Sequence, residues 1–188
     1  VFEEAVLNSI DFHNSRVITV TAHRRENLGK PLEEICHAIF HIVEQYSDVE
    51  IVYPVHMNPV VRETVNSILG SHPRIHLIDP VNITDMHNLL NKSYMVMTDS
   101  GGLQEEVPSM GKPVLVLRNV TERPEGVEAG TLKLAGTNKD TIVRLAKELL
   151  DSSEIYNEMA KAANPFGDGN ASRRIANAIL HYFGLDDC

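Results

Sequence analysis

The feature that most constrains the fold is a regular alternation of short apolar runs and amphipathic helical patterns along the chain. Arg16–Thr21 is rich in β-branched residues and predicts the first strand. Further β-rich runs lie at residues 51–53, 75–78, 94–97, 114–117 and 132–135, and helical patterns at residues 31–43, 60–69, 82–90, 140–150, 153–163 and 171–183. Strands that recur roughly every 25 residues with helices between them form right-handed βαβ units. The chain is therefore predicted to fold as an α/β domain, with a parallel sheet covered by helices on both faces.

Six strands suit a Rossmann-like, doubly wound sheet, for which 3-2-1-4-5-6 is the expected strand order. In that order the first and fourth strands are neighbours at a switch point, and ligands bind there beyond the carboxyl ends of the strands. Residues 1–15 are predicted to be a connector with a short helix at Ala5–Ser9, and residues 16–188 to form the domain itself. The loops after the first and fourth strands are therefore where a ligand site is expected.

The fourth strand leads into Thr98-Asp99-Ser100-Gly101-Gly102-Leu103-Gln104-Glu105-Glu106, where a strand turns into a helix through two glycines. Glycines there can adopt unusual backbone dihedrals and let a ligand approach the main chain, and the free N–H groups of a starting helix suit a phosphate. Ser100 adds a hydroxyl donor, and Glu106 follows roughly 9 Å further along the helix at ~1.5 Å per residue. That spacing suits a nucleotide whose ribose hydroxyls donate to the Glu106 carboxylate. A Gly-Gly turn with a solvated glutamate is the alternative, and the motif alone does not separate the two.

The first strand ends in a cationic loop, His23-Arg24-Arg25-Glu26-Asn27. His23 can orient or protonate a leaving oxygen, and the two arginines supply fixed positive charge for a pyrophosphate. A solvated loop in which an arginine pairs with Glu26 is the alternative. Because the first and fourth strands are predicted neighbours, this loop and the Gly-Gly turn would meet at one crevice, which favours a ligand site.

Two further loops would reach the same rim of the sheet. Arg118 and Arg123 belong to the loop after the fifth strand, over residues 118–130, which Pro124 stiffens. His56 follows the second strand. Ordered loops between elements often carry function, although a plain surface loop would account for both segments as well.

Composition excludes several classes of protein. The formal net charge of −9 argues against general nucleic-acid binding, which needs a basic face. No apolar run approaches the ~20 residues that cross a bilayer, and no signal peptide opens the chain. The two cysteines, Cys36 and Cys188, form no disulfide framework, which predicts a reducing cytoplasm. His37 and His41 lie one helical turn apart without a third metal ligand, so no metal site is predicted.

Several of these motifs together resemble the non-hydrolysing UDP-N-acetylglucosamine 2-epimerases. The resemblance rests on residues 21–27, 54–59, 98–106, 121–130 and 164–169 and covers residues 16–183, as the carboxyl-terminal half of such an enzyme. It implies half of a two-domain fold like that of GT-B glycosyltransferases, with the active site between two Rossmann-like halves. The family interconverts UDP-N-acetylglucosamine (UDP-GlcNAc) and UDP-N-acetylmannosamine (UDP-ManNAc) by eliminating UDP to a 2-acetamidoglucal and adding it back. It uses neither a metal nor a nicotinamide cofactor, and it supplies N-acetylmannosamine for surface polysaccharide.

The resemblance also assigns roles to single residues. Phosphate would be held by Ser100, Gly101 and Gly102, the ribose by Glu106 and the diphosphate by Arg123, with His23 catalytic beside the sugar–phosphate linkage. Arg24 and His56 match residues that bind a second UDP-GlcNAc as an activator in bacterial members. Met86 departs from the pattern, because the family often places an aromatic residue there near the uracil.

The resemblance implies as well what this half lacks. Epimerisation at C2 needs positioned acid–base groups, and the family's acid–base carboxylates lie in the amino-terminal half. The carboxylates of Glu105, Glu122, Glu125 and Glu128 cannot be assumed to replace them, so the isolated half is expected to be inactive. The start at Val1-Phe2-Glu3-Glu4 is not a natural initiator sequence, which agrees with a missing domain. The full-length enzyme is expected to be a cytoplasmic homodimer; half of a GT-B glycosyltransferase and a non-catalytic nucleotide-sugar-binding module are the alternatives.

Overall fold

A computed structural model describes residues 1–185 and contains one six-stranded parallel sheet. Its strands are β1 (Arg16–Thr21), β2 (Val49–Pro54), β3 (Ile75–Ile78), β4 (Met95–Thr98), β5 (Val114–Val116) and β6 (Leu132–Leu134). The strand order is β3-β2-β1-β4-β5-β6, and every neighbouring pair is parallel. The predicted Rossmann-like order is therefore confirmed, and β1 and β4 are adjacent at the switch point.

Helices connect the strands and follow the last one. They are α1 (Lys30–Gln45), α2 (Pro59–Leu69), α3 (Ile83–Lys92), α4 (Gly101–Glu106), α5 (Pro124–Glu128), α6 (Lys139–Asp151), α7 (Ser153–Ala160) and α8 (Ala171–Tyr182). Short 3₁₀ helices lie at Ala5–Ser9, Arg25–Asn27 and Val107–Met110. Besides shifts of one or two residues at the bounds of other elements, two details differ from the sequence prediction. The predicted loop over residues 118–130 contains α5, which Pro124 starts, and α7 ends at Ala160 instead of residue 163.

Asparagine side chains start several of these helices. Asn58 accepts a hydrogen bond from the N–H of Val60, and Asn138 accepts one from the N–H of Thr141. Asn82 caps α3 by accepting from the N–H of Asp85 at 2.8 Å. Asn82 is therefore the N-cap residue of α3.

The core lies on both faces of the sheet, because alternate residues of each strand point to opposite sides. On one face α1, α2 and α6 bury apolar side chains against residues such as Ile18, Ile51 and Met97. On the other face Leu89 and Leu90 of α3 belong to two smaller clusters that also contain sheet residues. Burying each such side chain stabilises the fold by about 1.5–3 kcal/mol, so this sandwich rigidly positions the strand ends.

The first fifteen residues pack against the second face of the sheet. Phe2, Leu7 and Ile10 are buried there, and Ala5–Ser9 forms the predicted short helix as a 3₁₀ turn. The N–H groups of Glu3 and Glu4 donate to the two carboxylate oxygens of Asp85, at 3.1 and 2.8 Å. The segment is thus attached to the domain, and its role as a connector stays a prediction.

The carboxyl-terminal helix contrasts with the rest of the fold. No residue of α8 is buried, and Ile175, Ile179 and Tyr182 expose 60, 52 and 83% of their surface.

None of the helices in residues 1–185 combines the length and apolar character that a bilayer crossing requires. Burial raises the pKa of the Cys36 thiol to about 12, while Cys188 lies outside the described residues.

Candidate functional site

The candidate site begins where β1 and β4 end side by side. Thr21 and Thr98 are paired across these strands, and their hydroxyl oxygens lie 2.6 Å apart in a buried hydrogen bond. Thr98 also accepts a hydrogen bond from the N–H of Ser100 at 2.9 Å. The two loops that the sequence singled out therefore leave the sheet from one fixed point.

The Gly-Gly turn starts α4 directly, with Ser100 as its N-cap residue. Gly101 and Gly102 are both helical and neither has a positive φ, so the expectation of unusual dihedrals is wrong. Side chains lie over both glycines, and a Cβ on either would make only ordinary van der Waals contacts. A Cβ on Gly101 would lie 3.6 Å from Nη2 of Arg24, and a Cβ on Gly102 would lie 3.5 Å from Oε1 of Glu106. The turn is therefore a small backbone surface between a cation and a carboxylate.

Glu106 ends α4 and folds back over Gly102. Its Oε1 atom faces the glycine, while its Oε2 atom lies 3.2 Å from Nε2 of His87 on α3. Both side chains are about half exposed, so the carboxylate remains accessible to a ligand. His87 was missed by sequence reasoning, because only the fold brings α3 beside α4.

A buried carboxylate holds the loop that follows β1. Asp99 is 0% exposed, and its Oδ2 atom accepts from the N–H groups of His23 and Arg24 at 2.8 and 2.7 Å. The same oxygen accepts from Nδ2 of Asn27 at 3.0 Å, and that amide also donates to the carbonyl of Leu117 at 3.1 Å. Sequence reasoning assigned Asp99 no role, although its position between a buried strand and the glycines was a usable signal.

Tyr53 also helps to fix the loop that follows β1. Its hydroxyl is buried and donates to the carbonyl of Ala22, the residue before His23, at 2.7 Å. Burial holds the pKa of Tyr53 well above its ordinary value, so the phenol stays protonated and keeps this donor. The base of the loop is thus fixed from two sides.

His23 and His56 meet above the carboxyl ends of β1 and β2. Their rings are stacked, with centroids 4.9 Å apart and planes inclined by 23°. Both residues are exposed, and Arg24 next to them reaches Gly101. The structure therefore brings His23, Arg24 and His56 together beside the turn.

Arg123 approaches α4 from the loop after β5. Its Nε donates to the carboxylate of Glu105, and its Nη1 donates to the carbonyl of Glu122 at 2.9 Å. Its backbone N–H donates to the hydroxyl of Thr121 at 3.0 Å, and that hydroxyl donates to Oε1 of Gln104 at 2.5 Å. Because Gln104 is fully buried, this chain of bonds fixes the Arg123 loop to α4.

Gln104 also contacts the turn itself, since its Nε2 donates to the carbonyl of Ser100 at 3.2 Å.

Further along the chain, Phe166, which belongs to the motif at residues 164–169, supports α5. A Cβ on Gly126 would lie 3.0 Å from the Phe166 ring and 2.4 Å from Cδ1 of Leu132. The motif thus acts through packing on the helix that follows Arg123.

Arg118 forms ion pairs with glutamates of the loops that follow β1 and β5. Its Nη2 lies 3.0 Å from Oε1 of Glu26 and 3.5 Å from Oε1 of Glu122, and its side chain is only 13% exposed. Arg118 therefore ties two loops together, and the arginine–glutamate pairing considered for the cationic loop involves Arg118.

Met86 is half-buried in an apolar cluster with Leu103 and Phe166.

Other groups in the chain make weaker candidates. A cavity of about 560 Å³ between α1, α6 and α7 is lined by charges of both signs, but it contains none of the site residues. Two of its charged side chains, Arg144 and Glu148, already pair with each other. Within residues 1–185, no three His, Cys, Asp or Glu side chains are grouped so that they could hold a metal ion.

Comparison with known proteins points to one family. The family described as UDP-N-acetylglucosamine 2-epimerase matches residues 2–180. The UDP-N-acetylglucosamine 2-epimerase of Bacillus subtilis is 57% identical over 169 residues, which are 90% of this chain and 44% of that protein. The chain spans about half the length of the curated relatives it matches.

Solved structures give the same result. The S. aureus MnaA–UDP co-structure is 56% identical with a TM-score of 0.88, over 93% of this chain and 48% of that one. The UDP-GlcNAc 2-epimerase of Neisseria meningitidis, bound to UDP-GlcNAc, is 43% identical with a TM-score of 0.89, over 95% of this chain and 48% of that one. The chain belongs to the UDP-N-acetylglucosamine 2-epimerase family.

Proposed function

We propose that this chain is the UDP-binding half of an enzyme that interconverts UDP-GlcNAc and UDP-ManNAc. The observation that carries the proposal is the Gly101-Gly102 turn, which lies between Arg24 and Glu106 at the switch point of the sheet, with Arg123 held on the same helix by Glu105. Two similar structures are described with UDP or UDP-GlcNAc bound. The proposed ligand is therefore the uridine diphosphate part of the nucleotide sugar.

The diphosphate is assigned to the turn and its arginines. Ser100, Gly101 and Gly102 offer backbone N–H groups and a hydroxyl without a bulky side chain in the way. Arg24 and Arg123 supply local positive charge in a chain whose net charge is −9. The guanidinium of Arg123 has five N–H donors, so it can bind phosphate oxygens while Glu105 holds it in place.

The ribose is assigned to Glu106. Its carboxylate lies over Gly102 and can accept from both ribose hydroxyls of a nucleotide whose phosphates occupy the turn. His87 contacts the same carboxylate from α3 and orients it. Met86, one residue earlier, would offer the uracil an aliphatic contact in place of aromatic stacking.

His23 is assigned to the bond between sugar and diphosphate. In the reaction proposed, C2 loses a proton, the C1–oxygen bond breaks, and UDP leaves with the electron pair to give a 2-acetamidoglucal. An imidazole beside the diphosphate can donate a proton or a hydrogen bond to the leaving oxygen. Re-addition of UDP with proton return to the opposite face of C2 gives the epimer.

The groups that move the C2 proton are assigned to an amino-terminal half. The chain spans about half the length of its relatives. Large apolar side chains are exposed near the strand ends and on α8, as an interface with a second domain would require. They include Met57, Ile83, Val120, Ile175, Ile179 and Tyr182. The full-length protein is proposed to be a homodimer in which Arg24 and His56 also bind a second UDP-GlcNAc as activator.

The experiment is an assay of the full-length protein with UDP-GlcNAc as the only substrate, followed by proton NMR. The expected product is UDP-ManNAc, in an equilibrium mixture that is reached equally from UDP-ManNAc. Tight UDP binding without interconversion would instead indicate a nucleotide-sugar-binding module. Transfer of the sugar to an acceptor other than UDP would indicate a glycosyltransferase.

A further inference from the structure

We propose that Asp99 is a positioning residue, which holds His23 at the place where the reaction needs it. The inference rests on the proposed function, because it gives His23 a role at the sugar–diphosphate bond. Asp99 belongs to the β4–α4 segment that also contains the Gly-Gly turn, while His23 follows β1. One buried side chain thus connects the group that binds the diphosphate to the group that acts on it.

The hydrogen bonds of the Asp99 side chain are made to the loop that follows β1. A single carboxylate oxygen of Asp99 accepts three hydrogen bonds, from the N–H groups of His23 and Arg24 and from the amide of Asn27. The backbone N–H of Asp99 donates to the carbonyl of Thr21 at 3.1 Å. Every one of these partners lies between residues 21 and 27, so Asp99 fixes the main chain on both sides of His23.

The burial of this carboxylate makes the arrangement informative. Asp99 is 0% exposed, and its second oxygen is buried with no hydrogen-bond partner in the described part of the chain. A buried carboxylate is costly unless it is well hydrogen-bonded, and an unpaired buried oxygen adds to that cost. One oxygen is thus left without a partner while the other accepts three hydrogen bonds. Three donors on one oxygen hold one short loop in one conformation.

Asp85 shows what a structural counterpart looks like. It is also a buried aspartate that accepts from two consecutive N–H groups, those of Glu3 and Glu4, but it uses both oxygens to do so. It fixes the first residues of the chain, which lie outside the candidate site. Asp85 is therefore a matched control for the loss of a buried carboxylate.

The proposed role predicts how the kinetic effects divide. Asp99 acts through His23, which takes part in bond breaking, so loss of its charge should lower kcat more than it alters KM. A displacement of about 1 Å at a reacting group can reduce the rate by up to about a hundredfold. Asp99→Asn keeps the shape of the side chain but replaces the carboxylate by a neutral, weaker acceptor. We expect it to lower kcat at least about tenfold and to weaken binding of UDP-GlcNAc and UDP by a smaller factor, because Asp99 also holds the N–H of Arg24.

The decisive measurement is a double-mutant cycle in the full-length enzyme, with kcat for Asp99→Asn, His23→Ala and the two combined. If Asp99 works through His23, adding Asp99→Asn to His23→Ala should cost less than about a further twofold. In the same cycle with Asp85→Asn in place of Asp99→Asn, the factors by which the two single variants lower kcat should multiply in the double variant. If Asp99→Asn does not fold, Asn27→Ala removes one of the three donors and enters the cycle in its place.

Three outcomes would overturn the inference. They are a normal kcat in Asp99→Asn, losses that multiply with those of His23→Ala, and a loss of UDP affinity as large as the loss of kcat. A loss of UDP affinity of that size would mean that Asp99 acts on the Gly-Gly turn, to which the diphosphate is assigned. An inactive wild-type enzyme would overturn the proposed function, and this inference with it, whereas an active wild type with multiplying losses would overturn the inference alone.

Discussion

At the scale of single residues, the candidate site depends on local charges that differ from the charge of the whole chain. Arg123 is held by Glu105 and Arg118 by Glu26 and Glu122, so these two cations of the loop after β5 each have a carboxylate beside them. Partly exposed ion pairs contribute little to stability, typically about 0–1 kcal/mol. Their effect here is to fix where the guanidinium groups point before a ligand arrives.

Glu106→Gln tests the assignment of the ribose. The change preserves size and removes the charge that strengthens hydrogen bonds from hydroxyl groups, each worth roughly 1.5–3 kcal/mol at most. Because Glu106 is about half exposed, we expect a loss near the lower end, or about tenfold in UDP affinity. Titration calorimetry measures it. Glu63→Gln on the exposed face of α2 is the control, and unchanged UDP affinity in folded Glu106→Gln would rule out the ribose contact.

Arg24→Ala tests the assignment of the activator. In the full-length enzyme, turnover of UDP-ManNAc alone should no longer respond to trace UDP-GlcNAc. The reason is that the variant removes a guanidinium from the crevice that His23 and His56 share. Arg25→Ala, a change to the neighbouring exposed arginine, is the matched control and should respond normally. Normal activation of Arg24→Ala would refute the assignment.

The candidate site is predicted from residues whose chemistry is visible in the sequence. Asp99, Gln104 and His87 were not among them, because each acts through a partner that is distant in sequence. Asp99 contacts residues more than seventy positions earlier, for example His23 at a separation of 76. Such pairs become recognisable only when the strand order is known. Once β1 and β4 are neighbours, a buried aspartate at the end of β4 has the β1 loop within reach.

At the scale of elements, the strands were the most predictable part of the fold. Buried parallel strands appear in the sequence as continuous apolar runs, and their bounds differ from the predicted ones by about two residues at most. The short helix α5 was predicted as loop because five residues carry no helical period. Its place depends on packing, since Gly126 lies against Leu132 and Phe166.

Gly126→Ala tests that packing. The new Cβ would lie 2.4 Å from Cδ1 of Leu132, which is 1% exposed and has little room to move. Overpacking of this kind typically costs about 1–3 kcal/mol. We therefore expect a lower midpoint in urea denaturation and weaker UDP binding through displacement of the Arg123 loop. Glu128→Ala, at an exposed position of α5, is the control; a Gly126→Ala variant as stable as the wild type would show that α5 can shift freely.

At the scale of the whole molecule, the proposed function divides catalysis between this six-stranded sheet and a second domain. The proposed binding groups lie on the rim of the sheet, whereas α8 and several rim residues expose apolar surface. The sequence could predict this division only through family resemblance, because nothing in a periodic pattern reveals what a second domain would contribute. In two-domain enzymes, closure commonly completes the catalytic groups and excludes water.

The proposed division between the two halves is tested most directly by exchange of the C2 proton of UDP-GlcNAc in deuterated water. Exchange reports proton abstraction itself, whatever the later fate of the intermediate. The full-length protein is expected to introduce deuterium at C2 at an enzymatic rate. The isolated 188-residue chain is expected to bind UDP in calorimetry and to leave the C2 proton in place. Exchange by the isolated chain at an enzymatic rate would contradict this division, because the acid–base groups would then lie in this half.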